Sequence, residues 1–472
     1  MSGLFSPTGA SVPLRFHFIG ICGTAMGAVA AMLKDQGHHV TGSDQNVYPP
    51  MSTFLEGKGI PAGQGFSPAH LPQDPETIVV VGNAISRGNE ELETALEQKR
   101  LCLALPEVLK YFFLSRTHNL VVTGTHGKTT TTSLLAWLFQ HAGKEPSYLI
   151  GGLPRNFAEG CKRQSGPYWI LEGDEYDTAY FDKRSKFLHY LPELAIINNI
   201  EFDHADIYEN LAAIQLSFRR MVKLVPRNGL ILVNADDPNA LAVVQESPAP
   251  VKRVGFAADA EVRITDAEYG AAESRFTLFG HRFTLPMAGE FNVRNAAMAL
   301  AAAQFYQIPL PVLEKGLASF LGIRRRQEVR GEKGGVTVID DFGHHPTAIR
   351  ETIRGLRQKY PGRRLWAVFE PRSNTTRRAV FQETLPAALG EADGVFVAQV
   401  AALDQLRPEE RLNPEKVVSD IAARGIPAHY ERDAEAIVRG LVPLLQQQDV
   451  VAVFSNGGFG GIHEKLLNAL PN

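Results

Sequence analysis

One stretch constrains this chain more than any other: Leu120-Val121-Val122-Thr123-Gly124-Thr125-His126-Gly127-Lys128-Thr129-Thr130. It reads as a buried strand, a glycine turn, then a helix that starts at Lys128. Such a turn aims several backbone N–H groups and the positive end of a helix dipole at one point, which suits a phosphate. Lys128 adds a mobile cation for the outer phosphates, and the Thr129 hydroxyl is a ligand suited to Mg²⁺. The spacing is a shortened G-x-x-G-K-T-T, with Val122 where the longer G-x-x-x-x-G-K-[ST] loop has its first glycine. A glycine-capped surface turn with an incidental lysine is the competing reading. The motif points to a nucleotide phosphate; the reaction must come from the rest of the chain.

A chain of 472 residues has room for about three domains. Its net charge of −3 gives no reason to expect a nucleic-acid partner. The three cysteines, Cys22, Cys102 and Cys161, are too sparse for a disulfide scaffold and imply a reducing compartment. No apolar run approaches the ~20 residues of a membrane span. Residues 1–13 lack a basic or apolar leader segment and read as a loose tail, so a soluble cytoplasmic protein without a membrane partner is expected.

Arg15-Phe16-His17-Phe18-Ile19 predicts a strand, followed by Gly20-Ile21-Cys22-Gly23-Thr24-Ala25-Met26-Gly27 and a helix to about Gln36. A second strand ends at Asp44, where a ribose-binding acid or a turn cap would stand. This βαβ start predicts a Rossmann-like unit, yet G-x-x-G-x-x-x-G is not the NAD spacing; a UDP-type diphosphate suits the same helix N-terminus. Further strands and helices alternate up to Ser115-Arg116-Thr117. After the phosphate loop, Tyr168-Trp169-Ile170-Leu171 leads into Glu172-Gly173-Asp174-Glu175-Tyr176-Asp177. Leu194-Ala195-Ile196-Ile197 leads into Asn198-Asn199-Ile200-Glu201-Phe202-Asp203-His204-Ala205-Asp206. In a parallel sheet both acidic clusters fall on the side of Lys128, where carboxylates and a histidine would hold Mg²⁺ against phosphates. Val262, Ile264, Phe276, Leu278, Phe283 and Leu285 predict antiparallel strands over 261–285. Asn292 and Asn295, one turn apart at the start of an alanine-rich helix, are placed either to meet a base edge or to cap. A third α/β unit begins near Gly331. It contains Asp340-Asp341-Phe342-Gly343-His344-His345-Pro346, Glu370-Pro371-Arg372-Ser373-Asn374-Thr375 and the glycine turn Ser455-Asn456-Gly457-Gly458-Phe459-Gly460-Gly461.

Three α/β units, the G-T-x-G-K-T-T loop and D-D-x-G-H-H-P-T together resemble the Mur ligase family, ATP-dependent amide-forming enzymes of peptidoglycan synthesis. The resemblance runs through essentially the whole chain after the tail. It implies an α/β fold of three domains: a Rossmann-like UDP-sugar-binding domain over 14–116, a central P-loop ATPase-like domain over 117–328, and a Rossmann-like C-terminal domain over 329–472. Segments 20–27, 43–52, 201–206 and 370–375 are similar to the branch that joins UDP-N-acetylmuramate to the recycled tripeptide L-alanyl-γ-D-glutamyl-meso-diaminopimelate. The alternative branch uses L-alanine as the amine and usually has H-R-Y-T-R where this chain has Arg372-Ser373-Asn374-Thr375.

The resemblance implies that Gly124, Thr125, His126, Gly127, Lys128, Thr129 and Thr130 bind ATP, with Lys128 on the β- and γ-phosphates. Thr129 and Glu172 would hold one Mg²⁺, with Asp174 and Glu175 close enough to compete, and His204 would ligate a second. Lys128, Glu172 and His204 form the implied catalytic set. Asn295 matches an adenine-side asparagine, and Arg326 and Asp341 match third-domain residues that close onto ATP. Gly20, Gly23, Thr24, Met26 and Asp44 are the candidates for the UDP-sugar; Arg372, Ser373 and Asn374, with the 455–461 turn, are those for the amine substrate. Several relatives carry a carbamylated lysine on the helix after the D-H motif; here Ser217 and Phe218 correspond, with Lys223 further on. Neither His344 nor His345 is assigned as a base. The expected partners are the small molecules UDP-N-acetylmuramate, ATP and a murein tripeptide.

Overall fold

Three largely parallel sheets succeed one another along the chain in the computed structural model, which describes residues 13–401 and 406–471. The expected tail lies outside these residues except for Pro13. In the first sheet Arg15–Ile19 is central, with His39–Asp44 and Ala62–Gln64 to one side and Ile78–Val81 and Cys102–Ala104 to the other. All its pairs are parallel. The strand order therefore reverses beside Arg15–Ile19, and the glycine turn that starts at Gly20 stands at this switch point. The domain ends on an α-helical turn, Leu105–Leu109, followed by a π-helical one, Lys110–Leu114.

The middle sheet has eight strands. Its centre is Leu194–Ile197, His118–Thr123 and Tyr168–Glu172, all parallel, with Leu230–Asn234 and Val251–Gly255 continuing one side. Near-continuous apolar runs form these strands because helices cover both faces. Helix Lys128–His141 packs against the alanine-rich helix Glu290–Phe305, whose small side chains let the backbones approach. Three strands, Thr265–Tyr269, Ser274–Leu278 and His281–Leu285, form the expected antiparallel sheet. Val262 departs from it: Val262–Arg263 pairs in parallel with Val254 and Gly255 and becomes the edge of the large sheet.

The third sheet runs Glu328–Lys333, Val336–Asp341, Val450–Phe454, Leu365–Phe369, Gly394–Ala398 and Ala428–Glu431, parallel except for its first pair. Strand Val336–Asp341 includes both acids of the D-D-x-G-H-H-P-T motif, so Asp340 and Asp341 form its carboxyl end. Among the described residues no helix is long and apolar enough to cross a membrane.

Candidate active site

Because His118–Thr123 lies between Tyr168–Glu172 and Leu194–Ile197, the loops after these three strands are neighbours at one end of the sheet. Helix Lys128–His141 starts where expected, with Gly127 before it at φ +77°. A Cβ at Gly127 would sit 2.4 Å from Asn295 Oδ1 and 3.1 Å from Asn198 Nδ2, so only glycine fits. The loop is stapled to the strand end beside it. Thr125 N–H donates to Asn199 O at 2.9 Å, His126 N–H to Asn199 Oδ1 at 2.7 Å, and Glu201 N–H to Thr125 Oγ1 at 2.9 Å. Asn198 Nδ2 donates to Thr131 Oγ1 at 3.1 Å. Asn198 and Asn199 had no assigned role in the sequence; their position directly after a buried parallel strand was the available signal.

The structure also separates the three acids after Tyr168–Glu172. Thr129 Oγ1 donates to Glu172 Oε1 at 2.9 Å, and Gly151 N–H donates to Glu172 Oε2 at 2.6 Å. Burial pushes the Glu172 carboxyl pKa up, partly offset by the Gly151 N–H and Lys128. Glu175, only 3% exposed, takes Lys128: Nζ lies 2.7 Å from Oε2 and also donates to Gly124 O at 2.7 Å. His204 Nε2 meets the other Glu175 oxygen at 3.0 Å. Burial works against charge on Lys128, but Glu175 and Asp174 hold its pKa up. Burial likewise lowers His204, yet Glu175 raises it to about 8. Asp174 is raised by burial but held down at about 2 by Lys186 and Lys128. A hydroxyl and a buried carboxylate in contact are hard oxygen donors that fit Mg²⁺ at Thr129 and Glu172. His204 is an imidazole committed to Glu175, a donor Mg²⁺ favours less.

A cavity of about 900 Å³ opens over the phosphate loop, walled by Glu172 and Asn295 on one side and by Arg326 and Asp341 on the other. Arg326 Nη2 approaches Thr129 Oγ1 within 3.5 Å. Asp341 is buried, which raises its pKa, and its two oxygens accept from Gln327 N–H and Gly343 N–H at 2.8 Å each. Asn292 Nδ2 is engaged by Ala288 O at 2.7 Å, while Asn292 Oδ1 has no partner among the described residues. Thr130 is buried at the start of the helix.

The C-terminal domain reaches the same strand-end loop. His345 Nε2 stands 3.3 Å from Phe202 O, Thr347 Oγ1 donates to Glu201 Oε1 at 3.0 Å, and Ala205 N–H donates to Thr375 Oγ1 at 3.2 Å. Asn374 Nδ2 donates to Asp206 Oδ2 at 2.7 Å, so this candidate for the amine substrate bridges to the middle domain. Ser373 spends its hydroxyl on its own turn, 2.8 Å from Thr376 Oγ1. Arg372 is half-exposed and lies over Gly457, where a Cβ would meet its Nε at 2.5 Å. On the helix after the D-H motif, Ser217 is buried against Ser185 and Phe218 is core. Lys223 points outward near Glu246, so no lysine of this helix reaches the site.

In the first domain Gly20, at φ +90°, and Ile21 donate N–H groups to Ser43 O. Gly23 precedes the helix Thr24–Asp35 and Thr24 is exposed at its start. Asp44 Oδ2 accepts from Cys22 N–H at 2.9 Å and Oδ1 from Asn46 N–H at 3.1 Å, so the carboxylate shapes the turn. Met26 packs into the domain core, since its helix face points at the sheet.

Three family models match in chain order: Mur ligase family, catalytic domain, over 15–116; Mur ligase middle domain over 122–303; and Mur ligase, glutamate ligase domain, over 325–457. The chain belongs to the Mur ligase family. This Mur ligase is 42% identical over 468 residues to the UDP-N-acetylmuramate–L-alanyl-γ-D-glutamyl-meso-2,6-diaminoheptandioate ligase of Haemophilus influenzae, covering 97% of this chain and 99% of that protein. It is 32% identical over 479 residues to the UDP-N-acetylmuramate–L-alanine ligase of Variovorax paradoxus, covering 96% and 94%. The solved murein peptide ligase of Psychrobacter arcticus matches with a TM-score of 0.71 at 34% identity, covering 97% of this chain and 99% of that one.

Proposed function

We propose that this Mur ligase joins the carboxylate of UDP-N-acetylmuramate to the free α-amino group of L-alanyl-γ-D-glutamyl-meso-diaminopimelate, cleaving ATP to ADP and phosphate, in the cytoplasmic recycling of peptidoglycan. The observation that carries the choice of amine is the identity of 42% to a ligase named for that tripeptide, against 32% to one named for L-alanine.

A carboxylate and an amine at neutral pH form a salt, so the carboxylate first needs a leaving group. Phosphoryl transfer from ATP supplies it as an acyl phosphate, and the amine then attacks the acyl carbon and expels phosphate. Two anions must meet for the first step, and catalysis is mainly positioning and charge screening. The phosphate loop offers the N–H groups that are not spent on Asn199, together with the N-terminus of helix Lys128–His141. Lys128 rests between Gly124 O and Glu175 and is poised to turn its ammonium onto the phosphates. Thr129 and Glu172 would hold Mg²⁺, which when bound draws negative charge from the phosphate oxygens. Arg326, at the boundary with the third domain, faces the phosphate loop and adds a second cation. The turn at Gly20 and Gly23 would take the UDP diphosphate. Contacts from Thr347, Thr375 and Asn374 to the 201–206 loop hold the C-terminal domain over the cavity, which keeps water from an acyl phosphate.

Phosphate release with ATP, Mg²⁺ and UDP-N-acetylmuramate is the direct test, with tripeptide or L-alanine added. Release and a new UDP-linked product with tripeptide alone are expected. Equal release with L-alanine would move the protein to the other branch, and release with neither would overturn the substrate assignment.

A further inference from the structure

Three side chains outside the Thr129–Glu172 pair converge where two domains meet. His126 comes from the phosphate loop, Glu201 from the end of the neighbouring strand, and His345 from the residue before helix Pro346–Lys359 of the C-terminal domain. His126 Nε2 lies 2.8 Å from Glu201 Oε2, and His345 Nδ1 lies 3.3 Å from the same oxygen. One donor atom from each lies within 4.8 Å of the others, and the two imidazole rings are 4.4 Å apart at their centroids.

We propose that His126, Glu201 and His345 form a binding site for a borderline-soft divalent cation of the Zn²⁺ class, which bridges the phosphate loop and the C-terminal domain and is separate from the hard-oxygen site at Thr129 and Glu172. Two imidazoles and one carboxylate are a common zinc donor set, with a fourth position left open. Imidazole selects Zn²⁺ over Mg²⁺, whereas a hydroxyl and carboxylate select the reverse. Bonds of about 2.0–2.2 Å to a tetrahedral zinc place donors about 3.3–3.5 Å apart. The His345–Glu201 separation already matches, His126 has to withdraw from Glu201 by about 0.5 Å, and the two imidazole nitrogens, within 4.8 Å of each other, close onto the ion.

The surroundings support ligation. Thr347 Oγ1 donates to Glu201 Oε1 at 3.0 Å and Asn199 Oδ1 holds the His126 backbone N–H at 2.7 Å, the kind of outer contacts that orient ligands. His345 Nδ1 accepts the Thr347 N–H, so this nitrogen presents a lone pair and not a proton. The ligation gives up two bonds, from Thr347 N–H to His345 Nδ1 at 3.2 Å and between His126 Nε2 and Glu201 Oε2 at 2.8 Å. All three residues face the shared cavity, which provides a path for the ion. A cation here would fasten the C-terminal domain over the phosphate loop, so it is expected to inhibit turnover by resisting opening. The site does not depend on which amine the ligase uses.

The experiment uses the full chain, stripped with a chelator and held in saturating Mg²⁺ so that the oxygen site is filled. Co²⁺ is titrated and its visible absorption followed, then displaced with Zn²⁺. We expect one equivalent with the intense bands of a four-coordinate site, and at least tenfold weaker binding in His345→Ala and Glu201→Gln. His126→Ala is expected to weaken binding equally, and Glu201→Gln, at the most exposed of the three positions, guards against misfolding of the buried His345 variant. X-ray scattering of the unsubstituted chain should show a smaller radius of gyration with Zn²⁺ than with Mg²⁺ alone. Unchanged Co²⁺ affinity in these variants, or binding lost in Glu172→Gln and kept in His345→Ala, would overturn the assignment.

Discussion

Replacing Lys128 with alanine tests the geometry of the phosphate loop and its chemistry separately. The ammonium sits 2.7 Å from Glu175, whose side chain is 3% exposed, so the substitution strands a buried carboxylate. Removing one partner of a buried ion pair typically costs about 3–5 kcal/mol. Here His204 Nε2, 3.0 Å from Glu175, stays to share the charge. The expected loss therefore falls at the low end, about 3 kcal/mol. For a unit of this size that lowers the thermal midpoint by about 6–12 °C. Adding Glu175→Gln removes the stranded charge and should restore about 2 kcal/mol of the loss, which a double-mutant cycle reads as coupling. Urea unfolding followed by the fluorescence of Trp137 and Trp169, both in the middle domain, measures this in a Trp366→Phe background that silences the C-terminal tryptophan. Both lysine variants should release no phosphate, because the cation for the nucleotide is gone, while Glu175→Gln alone retains measurable turnover. A Lys128→Ala variant as stable as its parent, or a double variant no more stable than the single, would refute the buried pair. Near-normal ligation by Lys128→Ala would refute the mechanism.

Two further tests follow from the same loops. Gly127→Ala meets Asn295 Oδ1 at 2.4 Å and holds φ +77°, so ATP affinity should fall at least tenfold by nucleotide titration. Gly143→Ala, at φ +68° with open space around it, should carry only the backbone penalty and leave ATP affinity unchanged. Burial raises the Glu201 carboxyl, but His126, His345 and Thr347 together hold it at about 2, below its ordinary 4.5. A lowered pKa means that its stabilisation is complete above pH 4.5 and is lost as pH falls toward 2. Acid titration of the parent should therefore show a drop in this window that Glu201→Gln flattens.

What the sequence made legible follows from how parallel sheets are built. Leu194-Ala195-Ile196-Ile197, Leu365-Trp366-Ala367-Val368-Phe369 and Val450-Val451-Ala452-Val453-Phe454 are apolar on both faces, and each forms a strand at those positions. Side chains that carry chemistry then gather at strand ends, which is why the loop at Lys128, the cluster at Glu172 and the cluster at His204 meet. Direction within a turn was not legible. Glu172, Asp174 and Glu175 are three acids within four positions, and only the folded turn sends the first to Thr129, the second to Lys186 and the third to Lys128. Val262 read as the start of an antiparallel run because periodicity reports which face is buried and not which strand lies alongside. Met26 read as part of a glycine turn, although its helical position aims it into the core. Asn374 read as a substrate contact, but docking of the third domain turns it onto Asp206.

The segment 198–206 links these observations. Its asparagines and Glu201 fix the phosphate loop, His204 shares Glu175 with Lys128, and Glu201, Ala205 and Asp206 receive the C-terminal domain. His204 holds a left-handed φ of +54°, a conformation that costs a non-glycine residue of order 1–3 kcal/mol and persists only where neighbours over-determine it. Here the neighbours are the site itself: Asp203 Oδ1 accepts the His204 N–H at 2.7 Å and Glu175 holds the ring. Any shift of the C-terminal domain therefore acts on the segment that shapes the phosphate loop. Domain closure and nucleotide geometry are coupled through one short connection, because Leu194–Ile197 is the strand immediately beside His118–Thr123.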